Sequence, residues 1–265
     1  MRMMSIASGS SGNCIYIGTE SAHILVDDGI SKKRVIEGLN KLDLTLLDID
    51  AILITHEHDD HIRGLGVLER QNVTPVYGTY DTLDYISGYG PLGRIPEGIY
   101  HSVTPGEEFS IKDLNIRPIS IFHDAADPVA YVFSCGDKKA GILTDLGHYD
   151  DYILQSFKGL NAMLVESNHD INMLMTGPYP YMLKQRILGD TGHLSNESCG
   201  RMLGELINDG TENIFLGHLS KENNFPDLAY ETVRMEINLG DNPYKAEDFN
   251  IRVARRDTPS DIISI

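Results

Sequence analysis

One stretch, residues 51–61, limits what this chain can fold into more than any other part of it. Its first four residues, Ala-Ile-Leu-Ile, have the apolar character of a short buried strand. The strand runs directly into the pattern H-x-H-x-D-H, formed by His56, His58, Asp60 and His61. Imidazole and carboxylate groups are the ligands that divalent transition metals prefer when thiolates are absent. The stretch therefore predicts a metal site at the end of a buried strand.

The spacing within this pattern favours two metal ions over one. His56 and His58 are two residues apart, so an extended backbone points both rings to the same side. Asp60 and His61 follow where the chain is expected to turn into a helix, and they can face a second point. A solvent-exposed charged turn after a strand is the alternative interpretation. Only the metal site requires further ligands at the ends of other strands.

Three other predicted strands end in such ligands. The run Ile-Ser-Ile-Phe ends in His123, Gly-Ile-Leu-Thr ends in Asp145, and Ile-Phe-Leu-Gly ends in His218. A single histidine at a strand end is more often structural than ligating, so each match alone is weak. Together with the H-x-H-x-D-H run, they predict one site at the edge where the strand ends converge.

Charge and composition narrow the classes of function. The net charge of −17 argues against a basic surface that binds nucleic acid. Local phosphate recognition remains open, because two divalent ions would bring four positive charges to one site. No apolar run approaches the ~18 residues of a membrane span, and the N-terminus lacks a signal-peptide core, so no membrane partner is expected. Cys14, Cys135 and Cys199 lie far apart, which predicts reduced, packing thiols in a cytoplasmic protein.

The order of predicted elements indicates an α/β (α+β) fold in which two sheets pack face to face with helices outside. Residues 1–265 are expected to form a single domain, since no low-complexity linker interrupts them. Ser31 and Ser195 are candidate N-caps of the helices that follow them. The predicted helices are 31–42, 61–72, 79–88, 149–157, stretches within 171–188, 195–208 and 227–239. The predicted strands are 4–7, 13–19, 22–27, 51–54, 75–78, 108–111, 114–121, 130–135, 140–144, 162–166, 213–216 and 250–254.

With these motifs in place, the chain resembles the metallo-β-lactamase superfamily over nearly its whole length. The superfamily motifs correspond to Asp27, the H-x-H-x-D-H run, His123, Asp145 and His218, in that order. Within the superfamily it is similar to the single-domain WalJ/YycJ-like exonucleases. That similarity is carried by residues 7–14 (ASGSSGNC), 164–170 (LVESNHD), 173–180 (ML, then GPYP) and 192–196 (GHLSN). The resemblance implies a four-layer αββα sandwich with a dinuclear site along one edge of the sheets.

The resemblance also implies a ligand set. The first metal would be held by His56, His58 and His123, and the second by Asp60, His61 and His218, with Asp145 bridging them. These ligands suit two divalent ions per chain, which could be Zn, Mn or Fe. Asp27 is expected to hydrogen-bond a ligating histidine rather than bind metal. Asp28, where relatives commonly have a small residue, leaves open which of the two carboxylates faces the site.

The chemistry expected of such a site is hydrolysis. Two ions about 3.5–4 Å apart would lower the pKa of a shared water and supply a hydroxide for attack. The predicted catalytic residues are Asp60, Asp145 and His193. His193 would bind a substrate phosphate or protonate the leaving group, although an ordinary loop histidine is the alternative. Further candidate phosphate contacts are Ser10, Asn13 and Ser195, and the alternative for the first two is a simple hairpin turn. Glu166 and His169 are expected to support the metal ligands.

The leading functional hypothesis is a 5′-to-3′ exonuclease-like phosphodiesterase on DNA or RNA, as the resemblance implies. The larger nucleases of the superfamily carry an inserted clamp domain, for which the stretch between Asp145 and His218 leaves no room. Weak binding or short nucleic-acid substrates are therefore expected. The alternatives are a small-molecule hydrolase acting on a phosphodiester, thioester or lactone, and an inert metal-bound regulatory protein.

Overall fold

The computed structural model describes residues 1–265 and contains two mixed β-sheets of seven strands each. The strands, in chain order, are β1 (Arg2–Ala7), β2 (Cys14–Gly18), β3 (His23–Val26), β4 (Ala51–Leu53), β5 (Val76–Gly78), β6 (Tyr100–Ser102), β7 (Phe109–Ile111), β8 (Leu114–Ser120), β9 (Val129–Cys135), β10 (Lys138–Leu143), β11 (Ala162–Glu166), β12 (Asn213–Gly217), β13 (Asn250–Val253) and β14 (Ile263–Ser264). The first sheet has the order β14-β1-β2-β3-β4-β5-β6, and the second has the order β13-β12-β11-β10-β9-β8-β7.

Nine α-helices connect and cover the sheets. They are α1 (Lys32–Asn40), α2 (Asp59–Ile62), α3 (Leu65–Asn72), α4 (Tyr80–Gly88), α5 (Asp151–Ser156), α6 (Ile171–Thr176), α7 (Tyr181–Leu188), α8 (Asn196–Leu206) and α9 (Pro226–Leu239). None of these helices combines the length and the apolar content needed to cross a membrane.

The central strands are apolar on both faces, because each sheet is covered on both sides. Side chains alternate between the faces with the two-residue period of a strand. In β11, Ala162 and Leu164 join a core of 20 buried residues between the sheets, whereas Met163 and Val165 point to the opposite face. The inter-sheet core also receives Tyr131 from β9. This alternation is what holds the two sheets face to face.

Two further cores lie between the sheets and the helices. On the outer face of the first sheet, Leu39 of α1 and Leu68 of α3 pack in a cluster of 21 buried residues. On the outer face of the second sheet, α5, α8 and α9 contribute to a cluster of 23 residues that includes Met202 and Val233. Three cores between four layers confirm the predicted αββα sandwich. Cys14 and Cys199 are buried in these outer cores, which confirms their predicted packing role.

Several elements differ from the sequence prediction. The helix predicted over 61–72 is divided into α2 and α3 near Gly64, where a Cβ atom would lie 2.1 Å from the carbonyl oxygen of Ile30. The short strands β6 and β14 were not predicted, because β14 has only two residues and the residues of β6 are half-buried or exposed and form no apolar run. Helix α1 does begin after Ser31, but the Ser31 side chain makes no capping hydrogen bond. The predicted cap at Ser195 is confirmed, since its Oγ accepts from the Ser198 amide at 3.2 Å.

Strand direction explains why the predicted site residues meet. Strands β3, β4 and β5 are parallel in the first sheet, and β10, β11 and β12 are parallel in the second. The carboxyl ends of parallel strands lie at the same edge of a sheet, which is where ligands bind in such folds. Asp27, Thr55, Asp145, Glu166 and His218 lie at or just after these ends.

Candidate metal centre

Three of the residues at this edge have left-handed backbone conformations. Asp27, Asp145 and His218 have φ values of 61°, 60° and 54°, and each immediately or closely follows the end of a strand. Non-glycine residues rarely adopt this region, which costs energy and is enriched at functional sites. The bend directs each side chain into the shared edge instead of along the face of its sheet.

The first group of converging side chains consists of His56, His58 and His123. The Nδ1 atom of His58 lies 3.1 Å from Nε2 of His56 and 3.2 Å from Nε2 of His123. Three ring nitrogens therefore point at one another, and His56 is fully buried. Burial lowers the pKa of His56 well below its usual range and also lowers that of His123, so both imidazoles are neutral near pH 7.

The second group consists of Asp60, His61 and His218. Oδ2 of Asp60 lies 3.2 Å from Nε2 of His218 and 3.6 Å from Nε2 of His61. The Asp60 backbone is held in place by a close approach to Gly29, where a Cβ atom would lie 1.7 Å from the Asp60 carbonyl oxygen. Asp60 retains 20% of its side-chain exposure, so this group opens toward solvent.

Asp145 lies between the two groups. Its Oδ2 is 3.2 Å from Nε2 of His61, and its Oδ1 is 3.8 Å from Nε2 of His123. The side chain is 2% exposed. The structure thus brings together every residue that the sequence predicted as a metal ligand, in the two groups predicted, with the predicted bridging residue between them.

A buried carboxylate and a hydroxyl orient one histidine of each group through its Nδ1 atom. Oδ2 of Asp27 lies 2.8 Å from Nδ1 of His61, and the Thr55 backbone amide donates to Asp27 Oδ1 at 2.8 Å. The Thr55 hydroxyl is within 3.0 Å of Nδ1 of His56 and 3.2 Å of Nδ1 of His61. Asp27, not Asp28, therefore faces the site. Asp28 is buried toward Gly64, and burial raises the pKa of its carboxyl well above the usual range.

Glu166, fully buried at the end of β11, connects two histidines of the site. Its Oε1 accepts from Nδ1 of His193 and from Nδ1 of His218, each at 2.8 Å. Its Oε2 accepts from the backbone amides of Leu146 at 2.8 Å and Leu194 at 3.2 Å. Four donors therefore converge on one carboxylate. Hydrogen bonding through Nδ1 leaves Nε2 of His218 free to face Asp60.

The charges of this second group depend on one another. Burial alone would lower the pKa of His61 and His218, but the charge of Asp145 and of the neighbouring carboxylates outweighs it. As a result the pKa of His61 lies well above its usual range, and that of His218 rises to about 10. Burial would raise the pKa of Glu166, but His193 and His218 outweigh this effect and lower it to about 2. This side of the site therefore stabilises positive charge strongly.

The chemistry of the donor set fits divalent metal ions. Nδ1 of His61 is held by Asp27, and Nε2 of His61 faces Asp145 Oδ2, an oxygen without a hydrogen-bond partner, at 3.2 Å. In the first group, Nδ1 of His58 faces Nε2 of His56 at 3.1 Å and Nε2 of His123 at 3.2 Å. The candidate ligating atoms form four overlapping sets, and the atoms of each set lie within 4.8 Å of one another. Together these sets include every predicted ligand. A cation between converging acceptors would satisfy them without thiolate.

The predicted phosphate contacts lie in different environments. Ser10 is exposed, and its side chain has no hydrogen-bond partner. Asn13 is buried and its side chain is already engaged. Its Nδ2 lies 3.1 Å from Nε2 of His61, and its Oδ1 accepts from the Gly9 amide at 2.9 Å. The Ser195 hydroxyl is occupied by the helix cap. His193 is 17% exposed, with its ring beside His123 and His218. Of these residues, only Ser10 and His193 are available to a substrate.

His169 does not contact the ligands through hydrogen bonds. Its ring is buried, and neither ring nitrogen has a partner. Burial lowers its pKa to about 4, so the ring is neutral. The backbone of His169 instead holds the start of α8, since its carbonyl oxygen accepts from the Asn196 amide at 2.9 Å. These contacts give no support to the predicted role of its side chain.

Sequence reasoning missed four polar residues at the site. Besides Thr55, the Ser8 hydroxyl accepts from the His218 amide at 2.8 Å. Asp124 follows His123, with its Oδ1 3.6 Å from Nε2 of that histidine, and it pairs with Arg186 of α7 at the exposed rim. The sequence does carry a signal for Thr55 and Asp124, because each is adjacent to a candidate ligating histidine. No sequence signal indicates that Asp124 pairs with Arg186, since this pairing depends on how α7 packs.

Comparisons with known proteins agree with the fold and the site. Residues 23–218 match the β-lactamase superfamily domain. The chain is 38% identical over 231 residues to exodeoxyribonuclease YycJ of Bacillus anthracis, covering 86% of each protein. It is 39% identical over 236 residues to exodeoxyribonuclease WalJ of Streptococcus pneumoniae serotype 2, covering 89% of this chain and 88% of that protein.

A solved structure shows the same fold at much lower sequence similarity. The metallo-β-lactamase fold protein YhfI from Bacillus subtilis superposes with a TM-score of 0.70 at 15% identity, covering 98% of each chain. The predicted superfamily is therefore confirmed by sequence and by fold. This chain is a hydrolase of the metallo-β-lactamase superfamily, in the group that includes the exodeoxyribonucleases YycJ and WalJ.

Proposed function

We propose that this protein is a metal-dependent exonuclease that hydrolyses phosphodiester bonds at the ends of DNA. The observation that carries the proposal is the pair of facing donor groups with Asp145 between them, in a chain 38–39% identical to exodeoxyribonucleases over most of its length. The proposal treats residues 1–265 as one hydrolase domain. A cytoplasmic location fits the isolated cysteines, which pack as thiols.

The donor geometry supports the ligand assignment made from the sequence. His56, His58 and His123 would hold one ion, and Asp60, His61 and His218 a second, with Asp145 contributing to both. The nitrogen and oxygen donors are compatible with Zn²⁺, Mn²⁺ or Fe. Two such ions would activate water for attack and stabilise the charge on the phosphoryl oxygens.

The protein's own residues supply orientation and a proton. Asp27 and Glu166 hold His61 and His218 through their Nδ1 atoms, which fixes the Nε2 atoms toward the centre of the site. Glu166 also holds His193, and it raises the pKa of that histidine although burial acts in the opposite direction. A protonated His193 can bind a phosphate oxygen or donate its Nε2 proton to the leaving sugar oxygen. Because His193 is partly exposed and lies beside both groups, we assign it this role.

Short or end-bound DNA fits the rest of the chain. The net charge of −17 disfavours long electrostatic tracking along a duplex, and the connection between Asp145 and His218 is filled by β11, β12 and the helices α5 to α8. The test of the proposal therefore includes RNA and small esters as alternative substrates.

The test compares substrates and cleavage products directly. Purified protein loaded with Mn²⁺, Zn²⁺ or Fe²⁺ is given 5′-labelled and 3′-labelled DNA and RNA oligonucleotides, bis-p-nitrophenyl phosphate, a thioester and a lactone. We expect mononucleotides released from one end of DNA. Asp145→Asn should abolish this release, whereas Asp137→Asn, at the exposed opposite end of β10, should leave it unchanged. Turnover of the thioester or lactone with no cleavage of any phosphodiester would refute the proposal.

A further inference from the structure

A cavity of about 460 Å³ adjoins the candidate metal centre and has no place in the chemistry described above. Its walls include Ser220, Phe225, Arg255, Arg256 and Thr258. Its volume lies within the range of small-ligand sites, roughly 300–1,000 Å³. It is formed where the segment after β12, the start of α9 and the segment after β13 meet.

The cavity shares a wall with the second group of metal-ligating residues. Ser8 lines the cavity, and its hydroxyl accepts from the backbone amide of His218 at 2.8 Å. Leu219, the next residue, also lines it. The glycine-serine turn at residues 9–12 separates the two sites, since Gly9 lies against Arg256 and the adjacent Asn13 contacts His61. A strand leaving the metal centre would cross this short turn, where Ser10 is exposed, to reach the cavity.

Two neighbouring arginines give the cavity a positive character that is unusual in a chain of net charge −17. The side chain of Arg255 is exposed and makes no hydrogen bond or ion pair. Arg256 donates from Nη2 to the Leu219 carbonyl oxygen at 3.0 Å, while its Nε is buried without an acceptor. Asp257 is the one carboxylate that lines the cavity, and it is exposed. An anion would satisfy the guanidinium N–H groups that the protein itself leaves unpaired.

Helix α9 and an aromatic ring complete the site. The helix extends over 14 residues and begins at the cavity, with Phe225 as its N-cap and Pro226 at its first turn. The N-terminus of a helix of this length favours negative charge, part of which Asp227 in its first turn already supplies. The Phe225 side chain is 49% exposed, so a planar group can stack on it. An anion site beside an exposed aromatic ring is the combination by which proteins bind single-stranded nucleic acid.

We infer that this cavity binds a nucleotide of the substrate strand next to the one held at the metal centre. Arg255 and Arg256 bind its phosphate, and Phe225 stacks on its base. The inference rests on the proposed function, because it assigns the cavity to the same DNA substrate. A free mononucleotide has the same chemistry, so the test must separate a strand from a mononucleotide.

The test measures DNA binding and small-ester turnover in the full-length, metal-loaded protein. Binding of a fluorescent single-stranded DNA with phosphorothioate linkages is followed by anisotropy over a range of salt concentrations, for the wild type, Arg255→Gln and Phe225→Ala. Arg255 is exposed and unpaired, so its replacement should not disturb folding. Arg234→Gln is the matched control, since Arg234 lies on a later turn of α9, does not line the cavity, and pairs with Glu231 and Glu247.

Three results are expected if the inference holds. Arg255→Gln reduces the slope of log K against log salt by about 0.7, the value for one phosphate contact on a single strand. Phe225→Ala weakens binding by about 5-fold or more, the loss of one stacked base. Turnover of bis-p-nitrophenyl phosphate, which is too small to span both sites, stays at the wild-type rate in both variants. The control Arg234→Gln changes neither the salt slope, nor the DNA affinity, nor this turnover.

Two results would overturn the inference. One is wild-type DNA affinity and salt slope in both Arg255→Gln and Phe225→Ala. The other is tight binding of dAMP that Arg255→Gln abolishes while DNA affinity stays the same, which would assign the cavity to a free nucleotide. Failure of the proposed function is a separate outcome, because it would appear as wild-type protein that hydrolyses neither oligonucleotides nor bis-p-nitrophenyl phosphate.

Discussion

Replacing Glu166 with glutamine tests how the buried carboxylate organises the metal centre. In the wild type, Oε1 accepts from two histidines and Oε2 accepts from two backbone amides. Glutamine keeps the shape but turns one of these acceptors into an NH₂ donor. Two of the four donors therefore lose their acceptor, whichever way the amide is oriented.

The two orientations of the glutamine amide have different costs. If the NH₂ group faces Leu146 and Leu194, two buried amides are left unpaired, at about 1–3 kcal/mol each. If it faces the histidines, each must accept through Nδ1 and carry its proton on Nε2. For His218 that proton would point at the position of the second ion and prevent ligation. We therefore expect Glu166→Gln to lower metal affinity about 10- to 100-fold, the usual cost of losing such a partner.

The assay is a competition for Zn²⁺ between the protein and a chromophoric chelator, together with urea unfolding of the metal-free protein. Glu166→Gln should weaken the second binding event and lower the free energy of unfolding by about 2 kcal/mol or more. Glu57→Gln is the control, because Glu57 lies between two ligating histidines but accepts from the Ala126 amide at 2.7 Å, away from the site. Glutamine can make that bond too. Two metal ions bound by Glu166→Gln at wild-type affinity would refute the reasoning.

Three further predictions concern other buried groups. Asp27→Asn should weaken metal binding at His61, because the amide no longer selects the Nδ1-protonated ring, and the same competition assay would show it. His193→Gln should leave two ions bound but reduce kcat about 10²- to 10⁴-fold, measured with a DNA oligonucleotide; wild-type kcat would exclude His193 as the acid. Glu69 has its pKa raised by burial to about 7 from an ordinary 4.5, so the folded state binds the extra proton and stability falls as pH rises across that interval. Glu69→Gln should remove this part of the pH dependence in urea unfolding between pH 4.5 and about pH 7, and an unchanged dependence there would contradict the raised pKa of the buried carboxyl.

The fold and the ligands were predictable because their signals are local. The strand at 162–166 was located correctly to the residue, since its first four side chains are buried and alternate between two apolar faces before Glu166 ends it. The proposed ligands were predictable for the same reason: the H-x-H-x-D-H run, His123, Asp145 and His218 each come soon after the end of an apolar strand, and parallel strands bring such ends to one edge. Strand β14 was not predictable, because two residues that pair with β1 from the far end of the chain leave no periodic pattern.

Long-range hydrogen bonding was the part that the sequence did not reveal. Glu166 is separated from His218 by 52 positions, and nothing in the spacing indicates that one oxygen serves both His218 and His193. Asn13 was predicted to contact phosphate because its turn is rich in glycine and serine. In the fold its amide is turned inward to His61 and the Gly9 backbone, and only the exposed Ser10 remains available. Which side of a turn faces the substrate is decided by packing rather than composition.

The most direct test of the two-metal account is a titration of metal-free protein with Mn²⁺, in which release of mononucleotides from end-labelled DNA is measured against equivalents added. The seven proposed ligands form two groups joined by Asp145, so neither group alone is expected to support hydrolysis. Release should stay low through the first equivalent and reach its maximum at two ions per chain. Full activity at one equivalent, or undiminished activity in the metal-free protein, would contradict the account.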